Sequence, residues 1–356
     1  MRILHIDTER WDSGLTDYAI SLAKTQKKEG HAIKFWGLAG KYPYEKALSE
    51  GLETADCSGW PLKLPSLFKA VAAFGPDIID AHTGAGHSLA VIAAKTVKKS
   101  PAVIRTKADA RGFNRNLLSG LVWGNTDGLI AANKITAAEF AKLYPGIPVK
   151  LVYQGAPDLA DAARMKHLGD FEFIIGMLAR FDPIKGHICA LESAAAVLHE
   201  FPKTLFCFAG AEASIKTSRL TDYAAKLGIS GNVRFYGYIP DSGSFMKSCS
   251  MGIVPSLGSE AVSRVTAEWM SAGIPVAASA VGCIPELVEN GATGLLVDPG
   301  DPVRLADAVI RLMRDRANLN IISLAARRRY EQLLTLKKMA DYTEQFYERT
   351  LHDISS

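Results

Sequence analysis

The chain has 356 residues, 48% hydrophobic and 22% charged, the composition of a globular protein with enough material for two cores rather than one. It contains no run of about 18 apolar residues, which excludes a spanning helix, and "MRILHID" meets Asp7 and Glu9 too soon for a signal peptide to be expected. Net charge is +4 but uneven: residues 1–150 carry 20 Lys+Arg against 14 Asp+Glu (+6), and the remainder 21 against 23 (−2). The basic half suits an anionic acceptor or membrane surface rather than nucleic acid, since no zinc, helix-turn-helix or aromatic RNA signature accompanies it. Cys57, Cys189, Cys207, Cys249 and Cys283 are odd in number and lack metal-like spacing, so reduced thiols in a cytoplasmic protein are expected.

In chain order, "RILHI", "AIKFW", "DIIDA", "AVIRT", "DGLIAA" and "VKLVY" read as buried strands separated by helical stretches. Leu15, Tyr18, Ala19, Leu22 and Ala23 share one face of the first helix, which Gly30 ends. The stretch "WPLKLPSLFKAVAAF" (60–74) sets Leu67, Phe68, Val71 and Phe74 on one side, with Lys63 and Lys69 nearby. A basic amphipathic helix of this kind rests on an anionic membrane or packs into the core. A polar segment, 156–170, then acts as a linker. The alternation restarts with "FEFIIGML", "TLFCFAG", "NVRFYG", "MGIVPS", "IPVAAS" and "TGLLVD", and after Pro302 the pattern is helical to the end. Continuous apolar strands alternating with helices imply parallel sheets covered on both faces. The predicted fold class is therefore α/β, with two Rossmann-like doubly wound domains facing a central cleft. The expected domains are 1–155 with the C-terminal helix 338–356, and 171–335.

In open α/β sheets, ligands bind beyond the carboxyl ends of the strands. Two post-strand segments carry candidate chemistry. In "GMLARFDPIKGH", Arg180 and Lys185 flank a turn leading into a helix, an arrangement that suits a diphosphate or is simply two exposed basic residues. In "PSLGSEAVSRVTAEWMSAGIPV", a helix is expected from about Ala261 to Ala272, with Glu260 at its mouth and Glu268 about two turns inside. A mouth carboxylate can hold a sugar hydroxyl, and the inner one needs hydrogen-bond donors such as ribose hydroxyls. The first-turn N–H groups of Val262 and Ser263 can meet a phosphate. The same spacing also fits a capping glutamate plus an internal structural one.

Glu260-x7-Glu268 and the following "MSAGIPVAASAVGCIPELVENGATGLLVDPGD" resemble the signature region of the retaining glycosyltransferases of family 4, which have the GT-B fold. "GMLARFDPIKGH" resembles that family's donor-phosphate loop, and "GNVRFYGYIPD" the strand and turn beside the nucleobase. "GLTDYAISLAKTQKKEGHAIKFWG" and "GPDIIDAHTGAGHSLAVIAAK" resemble its N-terminal Gly-turn and its Pro-Asp strand with a cleft histidine, here His82. The resemblance implies that Arg180 and Lys185 hold a nucleotide's diphosphate, Glu268 the ribose, and Glu260 the transferred sugar. It implies main-chain donors at Val262 and Ser263, a close backbone approach at Gly14, and a base near Tyr238 and Ile239. It implies a nucleotide-sugar donor, a saccharide or lipid-linked acceptor, and no divalent metal or other cofactor. It also implies cell-surface polysaccharide or lipopolysaccharide synthesis at the cytoplasmic face of the inner membrane. Two departures stand out: Arg264 occupies the first helical turn, where the dipole disfavours a cation, and Lys107-Ala108-Asp109 replaces a usual histidine. Arg264 either contacts an anionic substrate group or forms a salt bridge.

Competing readings are weaker. "TGAGHSL" (83–89) nearly fits a dinucleotide fingerprint, but Leu89 replaces the third glycine and no acid stands about twenty residues on. A nucleotide-sugar epimerase and a non-catalytic nucleotide-sugar-binding regulator remain as alternatives.

Overall fold

The computed structural model describes residues 1–356 except 57–62, 114–115 and 166–167, and gives no side-chain placement for Lys63. Two compact units emerge: residues 1–155 with 336–356, and residues 156–335.

The first unit is built on a parallel sheet of β1 (Arg2–Asp7), β2 (Ala32–Gly37), β3 (Glu53–Asp56), β4 (Ile78–Ala81), β5 (Ala102–Lys107), β6 (Gly128–Ala131) and β7 (Val149–Leu151). Their order across the sheet is 3-2-1-4-5-6-7. Leu4, Ile6, Ile79, Ala81 and Val103 are buried because helices cover the sheet, which is why these strands are apolar throughout rather than alternating. The first helix, Gly14–Lys28, buries Leu15, Tyr18, Ala19, Leu22 and Ala23 as its periodicity predicts, and Gly30 ends it at φ +91°. The C-terminal helix Leu336–Ser355 packs against that first helix. β3 was not expected. "ETAD" is short and polar, as an edge strand with one covered face can be.

The helix Lys63–Phe74 corrects the membrane reading of residues 60–74. Leu67, Val71 and Phe74 are buried in a cluster with Leu4, Trp36 and Ile79, and Phe68 packs against that cluster. Its apolar face is core. Residues 60–62 of that stretch, and Cys57, lie outside the described residues.

The second unit carries β8 (Phe173–Leu178), β9 (Thr204–Ala209), β10 (Val233–Tyr236), β11 (Met251–Val254), β12 (Val276–Ser279) and β13 (Leu295–Val297), all parallel. Counted within the unit, the order 10-9-8-11-12-13 is the doubly wound 3-2-1-4-5-6 arrangement. Its switch point lies between β8 and β11, and both predicted donor segments follow those two strands. Among the described residues, no helix is long and apolar enough to cross a membrane. Cys189, Cys207, Cys249 and Cys283 are all free and buried.

Candidate functional site

The chain leaving β8 turns through Ala179–Asp182 into a short 3-10 turn, Pro183–Lys185, capped by Asp182, whose carboxylate accepts from the Ile184 amide at 3.2 Å. Gly186 follows at φ +78°, where a Cβ would stand 1.9 Å from the Pro255 carbonyl oxygen, so the loop after β8 passes against the loop after β11 only with glycine here. Leu257 N–H donating to Ile184 O at 2.8 Å ties the two loops together. Across that seam Lys185 Nζ donates to Glu260 Oε1 at 2.6 Å, and the Ser256 hydroxyl donates to the same oxygen at 2.7 Å. Glu260 is 5% exposed, so a carboxylate there requires these donors. Arg180 is exposed, and its guanidinium lies 3.8 Å from Asp182.

Glu260 is fixed from the other side as well. Ser259, immediately before it, has φ +58°, the one positive φ at a non-glycine among the described residues. After β12, Gly282 at φ +55° brings its Cα against Glu260, where a Cβ would meet the Glu260 carbonyl oxygen at 2.1 Å. The Cys283 amide donates to that carbonyl at 2.8 Å, and the Ser263 amide donates to Cys283 Sγ at 3.1 Å. These contacts shift the expected helix. It runs Arg264–Ser271 rather than from Ala261, because residues 260–263 are held by β12's loop instead of entering helical geometry. Val262 and Ser263 are therefore not first-turn residues, and the Ser263 amide, expected to be free for a phosphate, is taken by Cys283 Sγ. Glu260 therefore stands four residues ahead of the helix.

Glu268 is buried within that helix, and Arg264 Nε donates to its Oε1 at 2.8 Å. Of the two readings of Arg264, the salt bridge is the one present. The lysine and guanidinium pairings place a cation beside each glutamate, and neither acid is an orphan. Near the end of β10, Tyr238 is exposed and Ile239 half-buried, packing against Trp269 and its neighbours.

In the first unit, Gly14 is the exposed first residue of its helix, with Ser13 as the cap. His82 is not a cleft residue. It is fully buried, its ring is stacked on His5 with centroids 5.3 Å apart, and His5 Nδ1 and His82 Nε2 share a hydrogen bond of 3.0 Å. Burial holds His82 at a pKa of about 3 and His5 at about 4, both neutral near pH 7. Asp80, raised above the usual carboxylate range by burial, accepts from Thr106 at 2.9 Å and Tyr347 at 2.6 Å. His5, Asp80 and His82 are the one group among the described residues whose donor atoms could close on a single metal ion. The two imidazoles are already bonded to each other, which makes a buried polar knot the simpler description. Beyond β4 and β5, a cavity of about 430 Å³ opens between Arg105, Lys107, Arg111, Phe113, Leu118 and Trp123.

Residues 163–329 match the family model described as Glycosyl transferases group 1. The second unit is a group 1 glycosyl transferase domain. The chain is 28% identical over 241 residues to a D-inositol 3-phosphate glycosyltransferase of Thermobispora bispora, covering 61% of this chain and 56% of that protein. It is 31% identical over 163 residues to a phosphatidyl-myo-inositol mannosyltransferase of Mycobacterium leprae, covering 45% and 41%. The chain thus spans about half the length of the curated relatives it matches. Nearly the whole chain superposes on solved structures: Anabaena HepE in complex with UDP (TM-score 0.81, 19% identity, 98% of this chain and 100% of that one), and a glycosyltransferase of Rickettsia africae (0.85, 18%, 98% and 98%). These likenesses establish the GT-B fold, as the family-4 resemblance implied.

Within the group 1 domain, sequence reasoning overlooked Ser256, Gly282 and Cys283. Ser256 carries no signal beyond its place after a strand. Gly282 does, since a glycine in the loop after β12 marks a close backbone approach.

Proposed function

We propose that this chain is a retaining glycosyltransferase that moves a sugar from a nucleoside-diphosphate sugar to a saccharide or lipid-linked acceptor. The observation that carries the reading is the Lys185–Glu260 contact of 2.6 Å, made by two post-strand loops at the switch point of a doubly wound sheet within a group 1 domain. Arg180 and Lys185 bind the diphosphate, Glu268 the ribose hydroxyls and Glu260 the hydroxyls of the transferred sugar. Val262 and Ser263 lie beside the phosphates, Tyr238 and Ile239 beside the base, and Gly14 on the donor side of the first unit. Arg264 holds the Glu268 carboxylate in place for the ribose. His82 has no catalytic part, because its ring is enclosed.

The reaction breaks the bond between the sugar's anomeric carbon and the diphosphate oxygen, through an oxocarbenium-like state. Negative charge grows on the departing diphosphate, and the Arg180 and Lys185 cations stabilise it. We assign no divalent metal to that task. The leaving phosphate oxygen takes the acceptor hydroxyl's proton, and the new bond forms on the face just vacated, which retains configuration.

The relatives named above are said to act on an inositol phosphate and a phosphatidylinositol, and two structural neighbours are described as lipopolysaccharide enzymes. A phosphorylated or lipid-linked acceptor, used in cell-envelope synthesis by a cytoplasmic protein in peripheral contact with an anionic membrane, is the reading these favour. The test is incubation with a panel of nucleotide sugars, with the product anomer read by NMR. Slow release of nucleoside diphosphate and retained anomeric configuration support the transferase. A changed sugar still attached to its nucleotide would indicate an epimerase. Binding without turnover would favour the regulator, the reading that Lys107-Ala108-Asp109 and the enclosed His82 keep in view.

A further inference from the structure

The helix Leu117–Trp123 has two unlike faces. Asn116 and Ser119 form a capping box that starts it, the Ser119 amide donating to Asn116 Oδ1 at 2.8 Å and the Asn116 amide to Ser119 Oγ at 3.1 Å. Its inner end is anchored by Trp123, 6% exposed, which sits among His87, Phe113, Phe140 and Tyr144 at ring-centroid distances of 4.5–5.9 Å. Its outer face carries Leu117, Leu118 and Leu121, exposed by 82%, 72% and 59%. At positions i, i+1 and i+4 these leucines stand together on one side of two turns. Single exposed leucines are ordinary, but three on a rigidly anchored helix form a patch that needs an explanation.

The patch borders the 430 Å³ cavity, and Leu118 belongs to both. Behind Leu118 the cavity holds paired charges, and an unpaired one stands at its edge. Asp109 is shared by Lys107 Nζ at 2.6 Å and Arg105 Nη2 at 3.4 Å, two cations on one acid. The guanidinium of exposed Arg111 has no hydrogen-bond or ion-pair partner among the described residues, although the Arg111 amide donates to Asp109 Oδ1 at 2.8 Å. Glu139 is the other acid close by, near Gly112. Lys107 and Arg105 against Asp109 and Glu139 leave the floor balanced, with Asp80 and Asp7 also facing Arg105, so the uncompensated positive charge of this face is the Arg111 guanidinium at the edge. His87, on the same wall, is bonded to Thr126 at 2.8 Å and is neutral near pH 7, so it neither adds to nor opposes that charge.

We propose that an anionic phospholipid bilayer docks on this face, with Leu117, Leu118 and Leu121 entering the lipid and a phosphate headgroup reaching Arg111 at the cavity mouth. Three apolar anchors beside an unpaired cation are a combination an acidic lipid surface matches, and a neutral or purely apolar partner leaves Arg111 without its counter-charge. The surface differs from the helix at 63–74, which the sequence left open to membrane or core and whose Leu67, Val71 and Phe74 are core. The inference deepens the lipid-linked-acceptor reading and rests on it for its purpose, but it is tested separately.

The test is co-flotation of the full chain with phosphatidylglycerol/phosphatidylcholine vesicles and with phosphatidylcholine vesicles alone, alongside hydrolysis of the nucleotide sugar in water. Wild type is expected to float with the anionic vesicles and not with the neutral ones. Leu117→Ser/Leu118→Ser/Leu121→Ser should lose flotation with unchanged thermal unfolding and unchanged hydrolysis, because these side chains are exposed. Arg111→Gln should weaken partition about fivefold, the effect of one basic residue at an acidic surface. No flotation of wild type, equal flotation with neutral vesicles, or undiminished flotation of the triple variant would each overturn the proposal. So would stabilisation by dissolved glycerol phosphate with no vesicle binding, which would make the cavity a site for a soluble phosphate. A wild type that hydrolyses the nucleotide sugar but does not float refutes only this docking; a wild type that floats but does not hydrolyse refutes only the transferase reading.

Discussion

Replacing Lys185 with methionine removes one cation and keeps most of the side chain's bulk. It should reveal two separate losses. The first is structural. Glu260 is 5% exposed and Lys185 24%, so the pair is neither a solvent-screened surface bridge, worth about 0–1 kcal/mol, nor a fully enclosed one, whose breaking costs about 3–5 kcal/mol. A destabilisation of about 2 kcal/mol is expected, with the Ser256 hydroxyl left as the remaining side-chain donor on Glu260 Oε1. The second is functional. A charge-assisted hydrogen bond to a phosphate is worth about 1.5–3 kcal/mol, so affinity for the best of UDP, GDP and ADP should fall roughly 10- to 150-fold. The double variant Lys185→Met/Glu260→Gln separates the two. It should recover about 1–2 kcal/mol of stability, because no buried carboxylate is left without its cation, and should recover none of the nucleotide affinity. Urea unfolding and calorimetric titration read the two quantities. A double variant no more stable than the single one, or a single variant that binds nucleotide within about twofold of wild type, would refute the reasoning.

Gly282→Ala should cost about 2–3 kcal/mol and reduce turnover, because a Cβ there meets the Glu260 carbonyl at 2.1 Å at φ +55°. Gly291→Ala, at φ +79° with open space around it, is the control for backbone strain alone and should cost about 1 kcal/mol in the same unfolding assay. Arg264→Gln should lower stability by about 0.5–1 kcal/mol and weaken nucleoside diphosphate more than inorganic diphosphate, as calorimetry will report, since the pair it breaks is with the ribose-binding Glu268. Stability should fall as pH drops from 6.5 toward 4. His5, His82, His87 and His187 are held at about 4, 3, 3 and 4 by burial, so they stay neutral when folded while the unfolded chain takes up protons below 6.5. Asp7, raised by burial to about 6, works the other way between about pH 4 and 6, and Asp80, Asp127 and Glu344, also raised by burial, oppose the fall in the same sense, so the fall is steepest just below pH 6.5 and shallower toward 4. The urea midpoint at pH 7, 6 and 5 checks the sign, and His87→Gln should flatten the fall.

Much of the fold was legible because parallel strands buried on both faces must be continuous apolar runs, and "FIIGML" or "TLFCFA" has few other uses. β3 was not legible, since "ETAD" at a sheet edge carries no such pattern. The helix Lys63–Phe74 was legible as amphipathic, but periodicity cannot say what covers its apolar side; Trp36 and Leu4, distant in sequence, do. The same limit governs the site. Spacing pointed to Glu260 and Glu268, but the true start of the helix at Arg264 depends on Gly282 and Cys283 gripping Glu260 from the loop after β12. His82 read as a post-strand residue, which is correct, and its ring turns into the core, where it shares a hydrogen bond with His5 on the neighbouring strand.

The most direct measurement is a crystal structure with a nucleoside diphosphate bound. Diphosphate oxygens within about 3.2 Å of Lys185 Nζ and the Arg180 guanidinium, with the ribose on Glu268, are the result the account predicts. A diphosphate seated elsewhere and touching neither cation would contradict it.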